Sequence, residues 1–335
     1  MPGIPLGNII TTVTRDRFFP SIVDNIHSGS VLFSMLRGKS RPWSGGYQLT
    51  IPTTVKARTN VGSYSGFDVF STTQEDVRQK FTIDPSQYYA SLTISGIQKA
   101  LNKGPDAIID LIAAEFEDIG KTLGDTMCAD TYLDGTGNLG KNIAGLQCLV
   151  DDGTTATTIQ GLSRTTYTNL KSTRNAQVGA LAFSNLASDY DACQIGNDSP
   201  DLAITTPGIW TIIEALITPT TNLEVGKPYP KLVPTGGEGG ITVNRGFNAI
   251  YFRGVPIVSD EKCTSGNLYF LNTKHLNLYE IEADPMFAQA SKNGFSWTGW
   301  KKSANQDVIT SQLLWAGQLV SDSPRTMSRR TAITS

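Results

Sequence analysis

The segment from Gly104 to Leu133 predicts a single long helix, and this helix constrains the architecture more than any other feature of the chain. Pro105 stands at the first helical position and Asp106 lies in the first turn, where the helix dipole favours an anion. Apolar residues then recur at spacings of three and four and form one stripe: Ile108, Ile112, Phe116, Ile119, Leu123 and Met127. At about 1.5 Å per residue the helix would be roughly 40 Å long, so we expect it to act as a strut.

Two stretches before this helix have the period of strands. Apolar and polar residues alternate through YQLTIPTTV, residues 47–55, and through KFTIDPSQYYASLTIS, residues 80–95. Pro52 and Pro85 each remove a donor from the hydrogen-bond ladder. Two prolines at these positions indicate an exposed two-stranded ribbon and not a central sheet.

The tip of this ribbon lies in a Gly-, Ser- and Thr-rich segment and carries Tyr64, Phe67 and Phe70. An isolated two-stranded hairpin is only marginally stable in water. We therefore expect the ribbon to lie on another subunit. These three aromatic residues, together with Lys56 and Lys80 on the ribbon strands, are the candidate inter-subunit contacts.

The N-terminal region begins as an irregular arm and continues as a helical stretch, RFFPSIVDNIHSGSVLFSMLRG. Gly29 is expected to divide this stretch and Gly38 to end it. The region has more cationic than acidic side chains, and its basic residues are Arg15, Arg17, Arg37, Lys39 and Arg41. Such an arm could lie over a polyanion, and the alternative is an ordinary solvated helix face.

Composition excludes several classes of protein. A formal net charge of -2 argues against a general nucleic-acid binder, which would be clearly basic. The N-terminus lacks the pattern of a secretory signal, and no apolar run approaches the ~18 residues that cross a bilayer. With only two histidines, and with Cys128, Cys148, Cys193 and Cys263 in no C-x-x-C pair, we expect reduced thiols and neither a metal nor a cofactor. The expectation is a soluble protein made in a cytoplasm.

A glycine motif follows the predicted helix, because Gly135, Gly137 and Gly140 form a literal G-x-G-x-x-G. A dinucleotide site requires a strand before these glycines and a helix after them, so that the helix N-terminus can bind a pyrophosphate. Here a helix precedes them, and the following IAGLQCLV has the pattern of a turn and a strand. We interpret the motif as a helix C-cap and a loop.

The next lobe has a mixed α/β pattern. Helices are predicted in SRTTYTNLKSTR, with Ser163 as the N-cap, in FSNLASDYDACQIG and, after the short strand DLAITT, in PGIWTIIEALI. The tail returns to strand alternation in FSWTGWKK, VITSQLLWAGQLV and SPRTMSRRTAITS. We expect the tryptophans of this tail to fill a core: Trp297, Trp300 and Trp315. The end of the tail is basic and carries Arg325, Arg329 and Arg330.

The sequence SDEKC places a hydroxyl, two carboxylates, an amine and a thiol between Ser259 and Cys263. Ser259 and Lys262 have the S-x-x-K spacing of one class of acyl-transfer enzymes, which makes a hydrolase a distant alternative. That chemistry places the two residues one turn apart at the start of a helix. A β-branched run precedes this cluster and a turn follows it, and only spatial approach of His275 could add a base. We therefore predict a strand, a polar turn and a strand, with the charges facing water or another subunit.

The order of these elements resembles that of the major capsid protein of tailed bacteriophages, the Hong Kong 97-type fold. The resemblance covers nearly the whole chain and is sharpest in YLDGTGNLGKNIAGLQCLV, PDLAITTPGIWTIIEAL and YFRGVPIVSDEKCTSGNLYFLNTKHLNLY. It implies an α+β fold whose parts are an N-terminal arm (1–45), an extended E-loop β-hairpin (46–95), a P (peripheral) domain (96–154 and 286–335) with its spine helix at about 105–133, and an A (axial) domain (155–285).

The resemblance implies a structural protein, not an enzyme, that self-assembles as pentamers and hexamers into an icosahedral phage head around double-stranded DNA. Its partners would be further copies of itself, a portal, a separate scaffolding protein and a decoration protein, with no membrane. It would assemble in the host bacterial cytoplasm and reside in the virion. The basic arm would face the lumen and contact DNA phosphates without sequence preference. Some members cross-link a ribbon lysine, but no signature identifies a partner for Lys56 or Lys80, and no cross-link is predicted.

Two further alternatives stay open at this point. An encapsulin-like compartment has the same fold and would enclose protein cargo and assemble without a scaffold. A tail-tube or decoration protein would be smaller, mostly β, and without a helix of this length.

Overall fold

The structure is a computed structural model that describes residues 29–101, 111–217, 250–281, 290–292 and 294–334 of the chain, and it has an α+β fold. Its helices are α1 (Val31–Gly38), α2 (Gly96–Leu101), α3 (Leu111–Asp130), α4 (Gly137–Gly140), α5 (Leu146–Leu149), α6 (Phe183–Cys193) and α7 (Pro207–Ile217). The first strands are β1 (Arg41–Trp43), β2 (Leu49–Thr54), β3 (Arg78–Ile83), β4 (Ser86–Ser95), β5 (Thr158–Ile159), β6 (Leu162–Ser163), β7 (Thr173–Ala176) and β8 (Leu202–Thr205). The later strands are β9 (Ile250–Phe252), β10 (Val255–Ser259), β11 (Leu268–Leu271), β12 (Leu276–Ile281), β13 (Ala290–Lys292), β14 (Phe295–Trp297), β15 (Lys301–Lys302), β16 (Val308–Ser321) and β17 (Ser328–Thr331).

The larger sheet has seven strands and is organised around β16, which is 14 residues long. β4 runs antiparallel to β16, from Ser86 opposite Gly317 to Ser95 opposite Val308. Strands β12, β14 and β15 also pair with β16, and β1 and β13 extend the sheet beyond β12 and β14. This sheet therefore joins segments from both ends of the described chain.

The smaller sheet has six strands in the order β7-β17-β11-β8-β10-β9. It mixes parallel pairs, β8 with β10 and β7 with β17, with antiparallel ones. Two of the connections between the sheets are short: residues 272–275 join β11 to β12, and residues 322–327 join β16 to β17. The two sheets are consequently held together by tight crossings of the backbone.

Two hydrophobic clusters form the interior. The larger cluster joins α1, α3, the base of the ribbon and strands of both sheets, with Leu32, Phe81 and Met127 wholly buried. The smaller cluster packs α6 and α7 on the six-stranded sheet, where Ile213 and Phe270 are wholly buried. Burial of apolar area on this scale is the main favourable term in folding.

The long helix is confirmed over the 20 residues of α3. Its predicted start at Gly104-Pro105 lies outside the described residues, and it ends at Asp130, slightly before the predicted Leu133. The C-terminal part of the predicted stripe enters the core through Leu123 and Met127, whereas Phe116 is exposed on the N-terminal half. The strands and helices predicted around DLAITT, PGIWTIIEALI and FSNLASDYDACQIG are confirmed as β8, α7 and α6.

The ribbon differs from the prediction in its second strand. The single strand expected over residues 80–95 is two strands, because the chain changes sheets at Asp84-Pro85. β3 pairs with β2 in the ribbon, and β4 belongs to the seven-stranded sheet. Pro85 has no N–H to donate to a ladder, so it suits the position where one pairing ends and another begins.

The helix predicted in SRTTYTNLKSTR is wrong. The segment forms β6, a 3-10 turn at Thr168–Leu170 and β7. The Ser163 hydroxyl accepts bonds from the N–H groups of Thr165 and Thr166 without starting a helix. Arg164 is fully buried, and its guanidinium donates to the carbonyls of Ala156, Cys148, Leu149 and Leu170. These tertiary hydrogen bonds override the local helical pattern.

Two smaller predictions also fail. IAGLQCLV contains the short helix α5 and not a strand. Of the three tail tryptophans, Trp315 is buried and Trp297 half-buried, but Trp300 lies at the surface. In the ranges that the structure describes, no helix has the length and apolar character of a membrane-spanning segment.

Candidate functional site

The ribbon tip carries a set of exposed apolar side chains. Tyr64 and Phe70 stack edge to face with their ring centroids 4.9 Å apart, and Phe67 is completely exposed. Val61 and Val69, which are near them in the sequence, are also largely exposed. Several large apolar side chains so close together on a surface are typical of an interaction site.

The paired strands of the ribbon, β2 and β3, are in contrast fixed to the body, one contact lying near the body end and the other at the tip end. The Thr82 N–H donates to the Gln160 carbonyl at 2.9 Å, and the Asn169 amide donates to the Val55 carbonyl at 3.2 Å. Val55 and Phe81 are buried in the main core. A ribbon anchored in this way leaves the body in a set direction.

Both ribbon lysines named in the sequence analysis are exposed. Lys80 lies on β3 opposite Pro52, and Lys56 lies two residues after the end of β2. Near Lys56, the Glu75 carboxylate accepts bonds from the hydroxyl and the N–H of Thr59, and these bonds hold the pKa of Glu75 below its usual value. Both lysine side chains are therefore exposed to solvent. Their contact with a neighbouring subunit stays a prediction.

The SDEKC segment is not the solvated turn that the sequence suggested. Asp260 is only 3% exposed. Its Oδ2 atom accepts bonds from the Ser30 hydroxyl at 2.6 Å, the Tyr132 hydroxyl at 2.7 Å and the Val31 N–H at 2.9 Å. Its Oδ1 atom accepts the Lys262 N–H at 3.0 Å. Asp260 therefore connects the N-terminus of α1 to the segment after α3 and to the end of β10.

Burial decides the ionisation of the groups around Asp260. Burial, together with the adjacent negative charge, raises the pKa of the Tyr132 hydroxyl well above its usual value. Burial also raises the pKa of the Cys263 thiol. Both groups stay protonated near neutral pH, so Tyr132 is available as a donor and Cys263 is not a thiolate nucleophile.

The spacing of Ser259 and Lys262 does not produce an acyl-transfer site. The Lys262 ammonium pairs with both carboxylate oxygens of Asp125, at 2.7 and 2.8 Å, and the hydrogen bond to Asp125 raises the pKa of Lys262. A lysine held in its charged form cannot act as a general base. Ser259 lies at the end of β10, and His275 contacts Asp322 and Asp198 instead of this cluster.

The basic arm is described only in part, since Arg15 and Arg17 lie outside the described residues. Arg37 is exposed and lies over the Phe295 ring at 4.7 Å. Lys39 donates to the Thr273 hydroxyl at 3.1 Å, and Arg41 donates to the Tyr279 hydroxyl at 3.5 Å. Each of these three cations thus lies over the body of the protein with a partner in the chain.

The C-terminal arginines are not a free basic end. Arg325 is exposed, but Arg329 and Arg330 are buried on β17. The Arg330 guanidinium donates from Nε and Nη2 to the two carboxylate oxygens of Asp189, at 2.6 and 2.8 Å. The same carboxylate accepts a bond from the Asn175 amide at 2.7 Å. This network is one of the ties between β17 and α6, and its function is structural.

The remaining sequence motifs are structural as well. The glycine motif follows α3, and α4 within it is a single turn in which Asn138 and Leu139 have left-handed backbones. The loop interpretation is therefore confirmed. All four cysteines are free, and within the described ranges no three His, Cys, Asp or Glu side chains are grouped so that they could bind a metal ion.

Comparison with known proteins identifies similar structures but no related sequence. No sequence family and no curated protein matches the chain. Among solved structures, the capsid asymmetric unit of Cyanophage A-1(L) matches with a TM-score of 0.73 at 16% identity, covering 98% of this chain and 99% of that chain. The capsid of Myoviridae phage XM1 matches with a TM-score of 0.60 at 12% identity, covering 99% and 100%. The SrpI encapsulin of Synechococcus elongatus PCC 7942 matches with a TM-score of 0.61 at 10% identity, covering 99% and 96%.

The chain thus has the fold of these capsid and encapsulin subunits. It is the Hong Kong 97-type fold, and the resemblance expected from the order of the sequence elements is confirmed along essentially the full length. At these identities the match concerns the fold.

Proposed function

We propose that the chain is the major capsid protein of a tailed phage, which self-assembles as pentamers and hexamers into an icosahedral shell around double-stranded DNA. The observation that carries this proposal is the full-length correspondence with the Cyanophage A-1(L) capsid subunit, which leaves no large part of either chain unmatched. The role is structural and not enzymatic, in agreement with the pairing of Lys262 with Asp125 and the burial of Asp260 and Cys263.

We assign the parts of the fold as the resemblance implies: an arm (1–45), an E-loop (46–95), a P domain (96–154 and 286–335) and an A domain (155–285). The strand pairing supports a slightly different division at two junctions. The paired part of the E-loop ends at Ile83, since β4 pairs with β16. Strand β17 pairs with β7 and β11, so it lies with the A domain.

The ribbon is the proposed contact between subunits. Tyr64, Phe67 and Phe70 would be covered by a neighbouring copy, with Lys56 and Lys80 beside them. Their exposure and the fixed paired strands of the ribbon support this role, because a rigid arm loses little conformational freedom when it docks. Many such weak contacts acting together would close a shell.

The remaining partners follow from the proposed role. The arm, with Arg15, Arg17, Arg37, Lys39 and Arg41, would face the lumen and contact DNA phosphates in a salt-dependent way. A portal, a separate scaffolding protein and a decoration protein would complete the assembly. The subunit would be made in the host cytoplasm and would reside in the virion.

Electron microscopy of the protein, expressed with and without its cognate scaffold, tests the proposal. Closed shells with both five-fold and six-fold capsomers are the expected result. Monomers or small open oligomers under both conditions would contradict it.

A protein compartment is the second candidate, and the match to the SrpI encapsulin favours it. The discriminating measurement is the content of purified shells, read from the ratio of absorbance at 260 and 280 nm and from mass spectrometry of the contents. Double-stranded DNA supports the capsid, whereas a single cargo protein in shells that form without a scaffold supports the compartment.

A further inference from the structure

His275 occupies a junction of three segments. It is the last residue of the short connection between β11 of the six-stranded sheet and β12 of the seven-stranded sheet. Asp322 begins the other short connection, between β16 and β17, and its N–H donates to the His275 carbonyl at 3.2 Å. Asp198 belongs to the turn between α6 and β8. One imidazole thus faces both short crossings and a turn that leads into the six-stranded sheet.

Both ring nitrogens of His275 face carboxylate oxygens. Nδ1 lies 2.7 Å from an oxygen of Asp322, and Nε2 lies 3.5 Å from an oxygen of Asp198. A neutral imidazole carries one N–H and can donate to only one of them, and its other nitrogen then presents a lone pair to an anion. An imidazolium donates to both. The geometry therefore fits the protonated ring.

The other charged groups at this junction are engaged elsewhere or point to solvent. The Asp201 carboxylate accepts bonds from the N–H and hydroxyl of Thr273 at 2.8 and 2.7 Å. The Lys39 ammonium donates to the same hydroxyl, and Lys274 is exposed. The two carboxylates in contact with the ring, Asp322 and Asp198, are each 43% exposed, so water can compete for them when the ring loses its charge.

We infer that His275 is a proton-dependent clamp between the two sheets, which holds the part of the 194–201 turn around Asp198 to both crossings when the imidazole is charged and releases that part when it is neutral. The Asp322 contact is the shorter one and persists in either form, because a neutral Nδ1–H still donates to it. The Asp198 contact is the longer one and depends on the second proton. Deprotonation is thus expected to loosen the turn before β8 while the rest of the fold remains intact.

The direction of the pH dependence follows from the charges. Hydrogen bonding to Asp322, opposed by partial burial, raises the pKa of His275 above its usual value. For a group whose pKa is raised by folding, the stabilisation is fully present below the unfolded pKa and is lost as the pH rises through the folded pKa. The clamp is accordingly closed in mild acid and opens on the alkaline side.

Hydrogen–deuterium exchange of residues 194–201 tests the clamp at about pH 5.5 and about pH 8.5, after correction for the intrinsic exchange rate. We expect protection to fall by about threefold to fivefold at the higher pH, the factor that a partly exposed ion pair contributes. His27→Gln is the matched control, because it removes the only other histidine and should still show the fall in protection between the two pH values. The same assembly state, checked by sedimentation at each pH, is needed for every variant.

Two variants locate the effect. In His275→Gln the protection of residues 194–201 should no longer depend on pH. Asp198→Ala should also abolish this pH dependence while it leaves the Asp322 contact in place. Asp198 is partly exposed, so this second variant remains informative if His275→Gln does not fold. A pH-dependent fall in protection that persists in Asp198→Ala, or its absence in the unmodified chain, would overturn the inference.

Discussion

The hydroxyl of Ser30 donates a 2.6 Å hydrogen bond to the carboxylate of Asp260, although 230 residues separate them in the chain. Ser30 is the N-cap of α1, and its hydroxyl also accepts the N–H of Phe33. A carboxylate at the N-terminus of a helix is stabilised by the free N–H groups and by the helix dipole. Asp260 therefore acts as a distant second cap that fixes α1 to the end of β10.

Replacing Asp260 by Asn is expected to lower the free energy of unfolding by about 2–4 kcal/mol. The amide removes the negative charge to which the hydroxyls of Ser30 and Tyr132 and the N–H of Val31 donate. It also brings two N–H donors into a site whose neighbouring groups are already donors. Urea unfolding measures the difference. Glu261→Gln is the control, since this neighbour is exposed and should change the value by less than about 0.5 kcal/mol. Equal effects of the two changes would contradict the assigned role.

The buried pair of Arg330 and Asp189 gives a second prediction. Arg330→Met leaves Asp189 buried without its cation and should destabilise the chain by about 3–5 kcal/mol. The same change at Arg253, whose ion pair with Asp191 is exposed, should cost only about 0–1 kcal/mol. Thermal unfolding of both variants makes the comparison. Adding Asp189→Leu to Arg330→Met should recover part of the lost stability. A double variant that is less stable than Arg330→Met alone would argue against an unpaired charge as the cause.

Gly145 and Gly120 offer a matched pair of Gly→Ala changes. A Cβ at Gly145 would lie 2.5 Å from the carbonyl oxygens of Asp130, Thr131 and Leu133, which are backbone atoms and cannot rotate away. We expect Gly145→Ala to destabilise the chain by more than about 2 kcal/mol. Gly120 lies within α3 with no atom near the added methyl, so Gly120→Ala should stabilise it by about 0.5–1 kcal/mol.

Chemical denaturation of both glycine variants checks the sign as well as the size of each change. A neutral Gly145→Ala would mean that the loop after α3 can shift away from those carbonyls.

The ribbon tip gives a prediction about assembly. Phe67→Ser removes a wholly exposed ring, so the free energy of unfolding of the subunit should change by less than about 0.5 kcal/mol. Assembly measured by sedimentation and electron microscopy should nevertheless fall at least about tenfold, because the ring is proposed to be buried against a neighbour. Tyr89→Ser is the control, since Tyr89 is similarly exposed but lies on β4, away from the ribbon. Unchanged assembly in Phe67→Ser would remove the tip from the proposed interface.

Local patterns in the sequence predicted those elements whose causes are local. The spacing of Leu123 and Met127, the Pro207 start of α7 and the Gly38 end of α1 depend on residues within a few turns, and each was confirmed. The exposed ribbon tip was also predictable, because a Gly-, Ser- and Thr-rich segment between alternating strands lacks a regular apolar period that would pack it onto the body, even though it carries single aromatic residues. The order of these elements was enough to indicate the Hong Kong 97-type fold.

Tertiary structure alone decided the features that depend on distant partners. Residues 80–95 had the pattern of one strand, but the pairing of β4 with β16 divides it at Pro85. Asp260 had the character of a turn residue, yet Ser30 and Tyr132 make it a buried acceptor. Arg164 lies in a helical pattern, and four backbone carbonyls draw it into the core. In each case the deciding hydrogen bond or strand pairing comes from outside the local pattern, so no periodicity could reveal it.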